Sequence, residues 1–263
     1  MQKKSQAAIF VILGVVLLIS VMLLINFKTG FLKSLFQKSA QEIASVPEQL
    51  QEVTGFIEKC LETASRNSLY QIGRNGGYYT VPVDSSIIWF IEEVPYYYLD
   101  EKINIPSLGL IETELEKSIN ENIGSCFNFT EFRNEGFAIK TQNYSIAADI
   151  QEKKILVTMD YKILIEKSGV SSEFTKFSVE MDSNLASMHA ASEELVNIYS
   201  EKPGFVCLTC MEEIVDIYPV KISTIPVSDV TVLKNNIIWF LVDDREFQID
   251  DERNLTLRFI VEQ

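Results

Sequence analysis

Hydrophobic and polar positions along the chain follow three different rhythms, and each predicts a different kind of element. From Ala7 to Phe27 the run AAIFVILGVVLLISVMLLINF contains no charge. A helix rises about 1.5 Å per residue, so about twenty such residues cross a hydrocarbon core of about 30 Å. The run predicts a transmembrane anchor over residues 1–27. A cleavable leader would have a shorter apolar stretch closed by a small-residue site. Here FKTGFLKSLFQKS follows instead, basic and amphipathic, with Lys28, Lys33 and Lys38 placed to reach headgroups. It predicts a stalk or juxtamembrane helix over 28–44.

The second rhythm has the three-four spacing of a helix with one buried face. Ser45-Val46-Pro47-Glu48 has the form of a capping box, and Leu50, Val53, Ile57, Cys60, Leu61 and Ala64 follow on one stripe. The breaker cluster GRNGG, which starts at Gly73, ends that helix. It lacks the preceding strand and the Lys-Ser/Thr of a phosphate loop, so it reads as a turn. A second helix begins near Pro106-Ser107 with Leu108, Ile111, Leu115, Ile119, Ile123 and Cys126 on one face. A third, capped by Ser183 or Asn184, carries Leu185, Met188, Ala191, Leu195 and Ile198 and stops at Lys202-Pro203-Gly204.

The third rhythm is that of strands. NYSIAADI, KKILVTMDYKILIEK and EFTKFSVEMD, joined by QE and SGVSS, predict an antiparallel meander with one packed face. From Ile214 the segments IVDIYPVKI, DVTVL, IIWFLV and LTLRFIV predict further strands. The tetrapeptide IIWF occurs at Ile87–Phe90 and again at Ile237–Phe240 and contains both tryptophans. Each copy is expected to be a core strand buried on two faces and released to solvent by an acidic pair. Together these readings give an α+β class: an N-terminal transmembrane helix, then an ectodomain of about three helices and antiparallel sheet. Residues 45–130 form a helical and strand subdomain, and 131–263 an antiparallel-sheet subdomain with one or two helices.

Charge narrows the partners. All five charged residues before position 41 are lysines, so 18 of the 23 basic residues and all 37 acidic ones lie beyond it. Such a body repels phosphate backbones, and nucleic acid is excluded as a partner. The bilayer, through the N-terminal helix, is the first partner expected; an envelope protein or glycan is the second. Four cysteines, Cys60, Cys126, Cys207 and Cys210, are an even set. The first two lie on the apolar stripes of two helices that, packed face to face, would bring them within disulfide range; the alternative is two buried free thiols acting as small hydrophobes. The second two form the CxxC sequence CLTC at a helix start, open to three readings besides buried free thiols: a tight structural disulfide, an exchange site, or half of a zinc site. Asn128, Asn143 and Asn254 stand in Asn-x-Ser/Thr sequons and are candidate glycosylation sites. Lysines flank the apolar run on both sides, so the charge count leans slightly against an outside body; the N-in anchor geometry and the cysteines place it outside.

Catalytic chemistry finds no frame. There is no Gly-x-Ser-x-Gly elbow, and the single His189 has no partner residues in sequence, which assigns it a half-buried structural place. The acidic pairs Glu92-Glu93, Glu212-Glu213 and Asp243-Asp244 are ordinary in a chain this acidic. No catalytic, cofactor-binding or metal-binding residue is assigned, and no cofactor. Tyr78-Tyr79 and Tyr96-Tyr97-Tyr98 are candidate contacts if exposed, core if not.

The opening KKSQAAIFVILG resembles archaeal proteins with a pilin-like (class III) N-terminus, in which a basic pair and a small residue precede a Gln that begins a long apolar helix. The resemblance implies processing between Ser5 and Gln6. The Glu that this pattern carries five residues into the mature chain is Phe10 here. FIEKCLETASRNSLYQIGRNGGYYTVP and IPSLGLIETELEKSINENIGSCFNF likewise resemble uncharacterised archaeal membrane-anchored proteins of this layout, which implies location and architecture. The expected function is a membrane-anchored extracytoplasmic protein with a binding or structural role at the cell envelope. Alternatives are a pilin-like filament subunit and an envelope thiol oxidoreductase using the CLTC pair.

Overall fold

A computed structural model describes residues 47–89, 92–202, 206–226, 237–251 and 253–262, with Trp89 described by its backbone alone. The anchor, the stalk, the capping box at Ser45, the processing point at Ser5 and Gln6 and the DVTVL segment lie outside the described residues. Among the described residues no helix is long and apolar enough to cross a membrane. Glu52–Gln263 forms one compact unit.

Helix α1 (Gln51–Arg74) buries Val53, Ile57, Cys60, Leu61, Ala64 and Ile72, the stripe its spacing predicts. It ends because of two glycines. The Gly77 amide donates to Ile72 O (2.8 Å) and the Gly76 amide to Gly73 O (3.1 Å), with Gly76 at φ +58°. That is a Schellman cap, in which the left-handed residue is glycine because any Cβ is costly there. Here a Cβ on Gly76 would also lie 2.5 Å from Arg258 O. GRNGG is therefore a helix stop.

The larger sheet has the order β1 (Ser86–Trp89), β2 (Glu92–Leu99), β9 (Asn254–Glu262), β8 (Ile237–Gln248), β7 (Val220–Pro226), with the short β3 (Lys102–Ile103) also on β2. Its pairs are antiparallel except β2 with β9, which run parallel and bring the first and last parts of the body side by side. The smaller sheet is the meander β4 (Ala138–Ile150), β5 (Lys154–Lys167), β6 (Val170–Asp182). In β5 alternate residues Ile155, Val157, Met159, Tyr161, Ile163 and Ile165 are buried, the period-two pattern of one packed face. β5 and β6 are joined by Ser168 and Gly169, both at positive φ, as a two-residue hairpin requires.

Helix α2 (Leu108–Ile123), capped by Ser107, runs along the outer edge of β4. The Ala148 amide donates to Glu116 Oε1 and the Ile150 amide to Glu112 Oε1, both at 2.9 Å. Carboxylates four residues apart on one helix face thus serve edge donors two residues apart on a strand. An uncovered edge invites pairing with another chain, and here helix side chains occupy it. Three further helices complete the body: α3 (Thr130–Asn134), α4 (Leu185–Glu201) and α5 (Leu208–Ile217). The class is α+β with mainly antiparallel sheet.

Two sequence expectations are corrected. Ile214 to Ile217 belong to α5 and not to a strand, because the helix that starts at Leu208 continues until Tyr218-Pro219. The two IIWF copies also part company. Ile237, Ile238, Trp239 and Phe240 are all buried in β8, which has a strand on either side. Ile87–Trp89 of the first copy lie on β1, at the end of the sheet order, where Ile88 is 68% exposed; Phe90 lies outside the described residues. Its hydrophobic letters predict core, but among the described residues β1 has one strand neighbour and a free side.

Replacing both Glu112 and Glu116 by Ala leaves two edge amides without protein acceptors. We expect a loss of about 1–3 kcal/mol in urea unfolding, and faster hydrogen exchange at Ala148 and Ile150 than elsewhere in the meander.

Candidate functional site

The four cysteines form two disulfides, and no free cysteine remains. Cys60 on α1 meets Cys126, at the end of the turn after α2, with Cα atoms 5.8 Å apart. Eight residues further along α1, Ser68 accepts a hydrogen bond from Ser118 of α2 at 2.9 Å, with both serines buried. The helix pair is thus antiparallel and fastened at two points. Cys207 and Cys210 pair across the first turn of α5, with Cα atoms 5.3 Å apart. Cys207 is the N-cap, and its Sγ accepts from the Cys210 amide at 3.2 Å.

The two bridges differ in what they hold. Cys60–Cys126 spans a separation of 66 residues, for which chain entropy gives about 4 kcal/mol. Cys207–Cys210 spans 3, for which the same relation gives about 2 kcal/mol. In the first, Cys60 is buried and Cys126 half-buried; the second flanks Leu208, which is 65% exposed. With all four sulfurs bridged, no set of thiolates is left for zinc.

Other sequence candidates fall in separate places. The sequon residues Asn128, Asn143 and Asn254 are all exposed. His189 is buried more fully than expected: its Nε2 donates to Pro106 O at 2.7 Å, tying α4 to the loop before α2. Tyr97 and Tyr98 are core, while Tyr78 and Tyr79 are half-buried. The Tyr97 hydroxyl donates to Gly76 O at 3.0 Å, and its ring stacks on Phe259 at 4.3 Å. Burial, with Tyr78 and Glu193 nearby, holds that phenol well above its ordinary pKa.

The acidic pairs do more than face water. Asp244 is buried, and its carboxylate accepts from the Asn184 amide and side chain and from the amides of Glu246 and Phe247, at 2.7–3.0 Å. It ties the start of α4 to a bulge in β8. Nothing along the chain links Asp244 to Asn184, sixty positions away. Glu92 pairs with both Arg74 and Arg258. Burial, then the neighbouring Arg74, lowers the Arg258 pKa, and its Nε is buried without a partner.

Two clefts open beside these groups. One, of about 690 Å³, lies between the start of α4 and the end of α5 and is lined by Lys153, Asn184, Ser187, Tyr218, Arg245 and Glu246 among others. The second, of about 610 Å³, lies beside β1 and is lined by Tyr70, Arg74, Tyr79, Val81, Ile88 and Glu92 among others. It combines aromatic, apolar and paired charged groups next to an open strand edge, the composition of a contact surface. No family model, curated protein or solved structure matches the chain. The reading of the site therefore rests on its own residues.

Replacing Cys60 and Cys126 together by Ser should lower stability by about 4 kcal/mol, and replacing Cys207 and Cys210 by about 2 kcal/mol or less, read as urea midpoints at constant slope. A second expectation concerns alkali. Unfolding releases the Tyr97 phenol to titrate near its ordinary pKa of 10.0, well below its folded value. The stability it contributes is complete below pH 10 and declines as pH rises above that value. Tyr97→Phe should flatten this decline, seen as unfolding free energy against pH.

Proposed function

We propose that this chain is a membrane-tethered extracytoplasmic protein whose α+β head has a binding or structural role at the cell envelope. The observation that carries the reading is that all four cysteines are bridged, since such disulfides persist in oxidising compartments outside the cytoplasm. The apolar run from Ala7 to Phe27 supports the tether, and exposure of all three sequon asparagines is compatible with glycosylation there. The acidic balance keeps such a head soluble and away from anionic surfaces.

The contact surface we assign is the face beside β1, for an envelope protein or glycan. Val83 is 80% exposed and Ile88 68%, close to the cleft that Tyr79, Arg74 and Glu92 line. Exposed apolar residues rimmed by charge, beside a strand with a free edge, suit an extended partner chain that pairs along the edge and seats alternate side chains.

Orientation is tested by Val83→Cys labelled with a membrane-impermeant maleimide. Labelling of intact cells is the expected result; labelling only after lysis overturns the outward reading.

A further inference from the structure

The Cys207–Cys210 bridge has a setting unlike that of its companion. Cys60 is 2% exposed, its partner Cys126 is half-buried, and their bridge closes a long loop between packed helices. Cys207 and Cys210 are only half-buried, and the two residues between them face solvent. Of α5 only Ile214 is buried. A separation of 3 residues also means that opening this bridge releases little chain. The short span, and a half-buried sulfur at each end where Cys60–Cys126 has one, favour attack here.

The geometry also distinguishes the two sulfurs. Cys207 Sγ lies at the N-cap of a ten-residue helix and accepts the Cys210 amide, with Thr209 Oγ1 at 3.5 Å. A negative charge on Cys207 would face these donors and the positive end of the helix dipole. Glu212 and Glu213, one turn on, are exposed and direct their charge to water.

We propose that Cys207–Cys210 is an exchangeable disulfide that accepts two electrons from the dithiol of an extended polypeptide. A thiolate of the client attacks Cys207 Sγ. The Cys207–Cys210 bond breaks, Cys210 leaves as thiolate and takes up a proton, and a client–Cys207 mixed disulfide forms. The client's second thiolate then attacks the client sulfur of that mixed disulfide and expels Cys207 as the thiolate that the helix start holds. The client dithiol has become a disulfide, and the protein's disulfide a dithiol. A stabilised leaving thiolate drives the sequence in this direction, since a pair whose reduced form is favoured is the stronger oxidant. Leu208, exposed between the two sulfurs, offers an apolar contact to the incoming chain.

The test uses the full-length protein in detergent. It is equilibrated with reduced and oxidised glutathione, quenched with a mass-tagged maleimide and mapped by peptide. We expect Cys207–Cys210 to be half-reduced at a thiol ratio at least tenfold milder than Cys60–Cys126 requires. A synthetic peptide carrying two reduced cysteines should be oxidised mole for mole. Cys210→Ser should form a mixed disulfide with glutathione at least tenfold faster than Cys207→Ser does. Comparable resistance of the two native bridges, or a peptide left reduced, overturns the proposal; equal rates for the two serine variants overturn the role given to Cys207. The titration and the peptide arm need no substitution, so they decide the matter even if a serine variant fails to fold.

Discussion

The body depends on how α2 is held against α1. A disulfide at one end and a serine pair eight residues further along fix both the spacing of the two helices and their rotation about their own axes. A single fastening would leave α2 free to pivot. With two, each of its polar faces is aimed: Glu112 and Glu116 at the β4 edge, and Glu114 at the amides of Tyr79 and Thr80 beyond the end of α1. Helical stripe, loop conformation and sheet edge are thus parts of one arrangement.

Much of this was legible because it obeys local rules. The stripes on α1 and α2 named most of their buried residues, and one carried Cys60 while the other pointed on to Cys126 in the turn after α2. The alternation in β5 and the turn signal at Ser168-Gly169 gave the meander. Strand neighbourhood was not legible. The same letters, Ile-Ile-Trp, occupy a central strand and an edge strand, because burial depends on how many strands flank a segment and not on its composition. The parallel pairing of β2 with β9 joins segments whose order along the chain says nothing of their contact.

Polar residues hid the most. Asp243-Asp244 and Glu92-Glu93 read as solvated ends of strands, yet Asp244 is a buried acceptor for four N–H bonds and Glu92 pairs with two arginines. Charge in an acidic chain carries little local information, since one carboxylate among 37 is told from the rest only by the donors that tertiary structure brings to it. The cysteines were the opposite case. Few in number and restricted in geometry, they limited the possible pairings, and the structure selects the two disulfides.

The carboxylates that cover β4 form a vernier. Four residues of helix advance about 6 Å, while two residues of strand advance about 6.6–6.8 Å, so helix and strand drift apart by somewhat under 1 Å at each step. Two successive glutamates absorb the offset through their flexible side chains. At the next step the pattern changes: the Tyr144 hydroxyl reaches across to the Asn120 carbonyl of the helix, and no carboxylate reaches out to the strand. A helix can therefore stand in for a missing strand over only a few residues before the two repeats fall out of step. Beyond that point β4 stays exposed at Lys140 to Asn143, while the rings of Phe127, Tyr144 and Tyr161 pack together beside it.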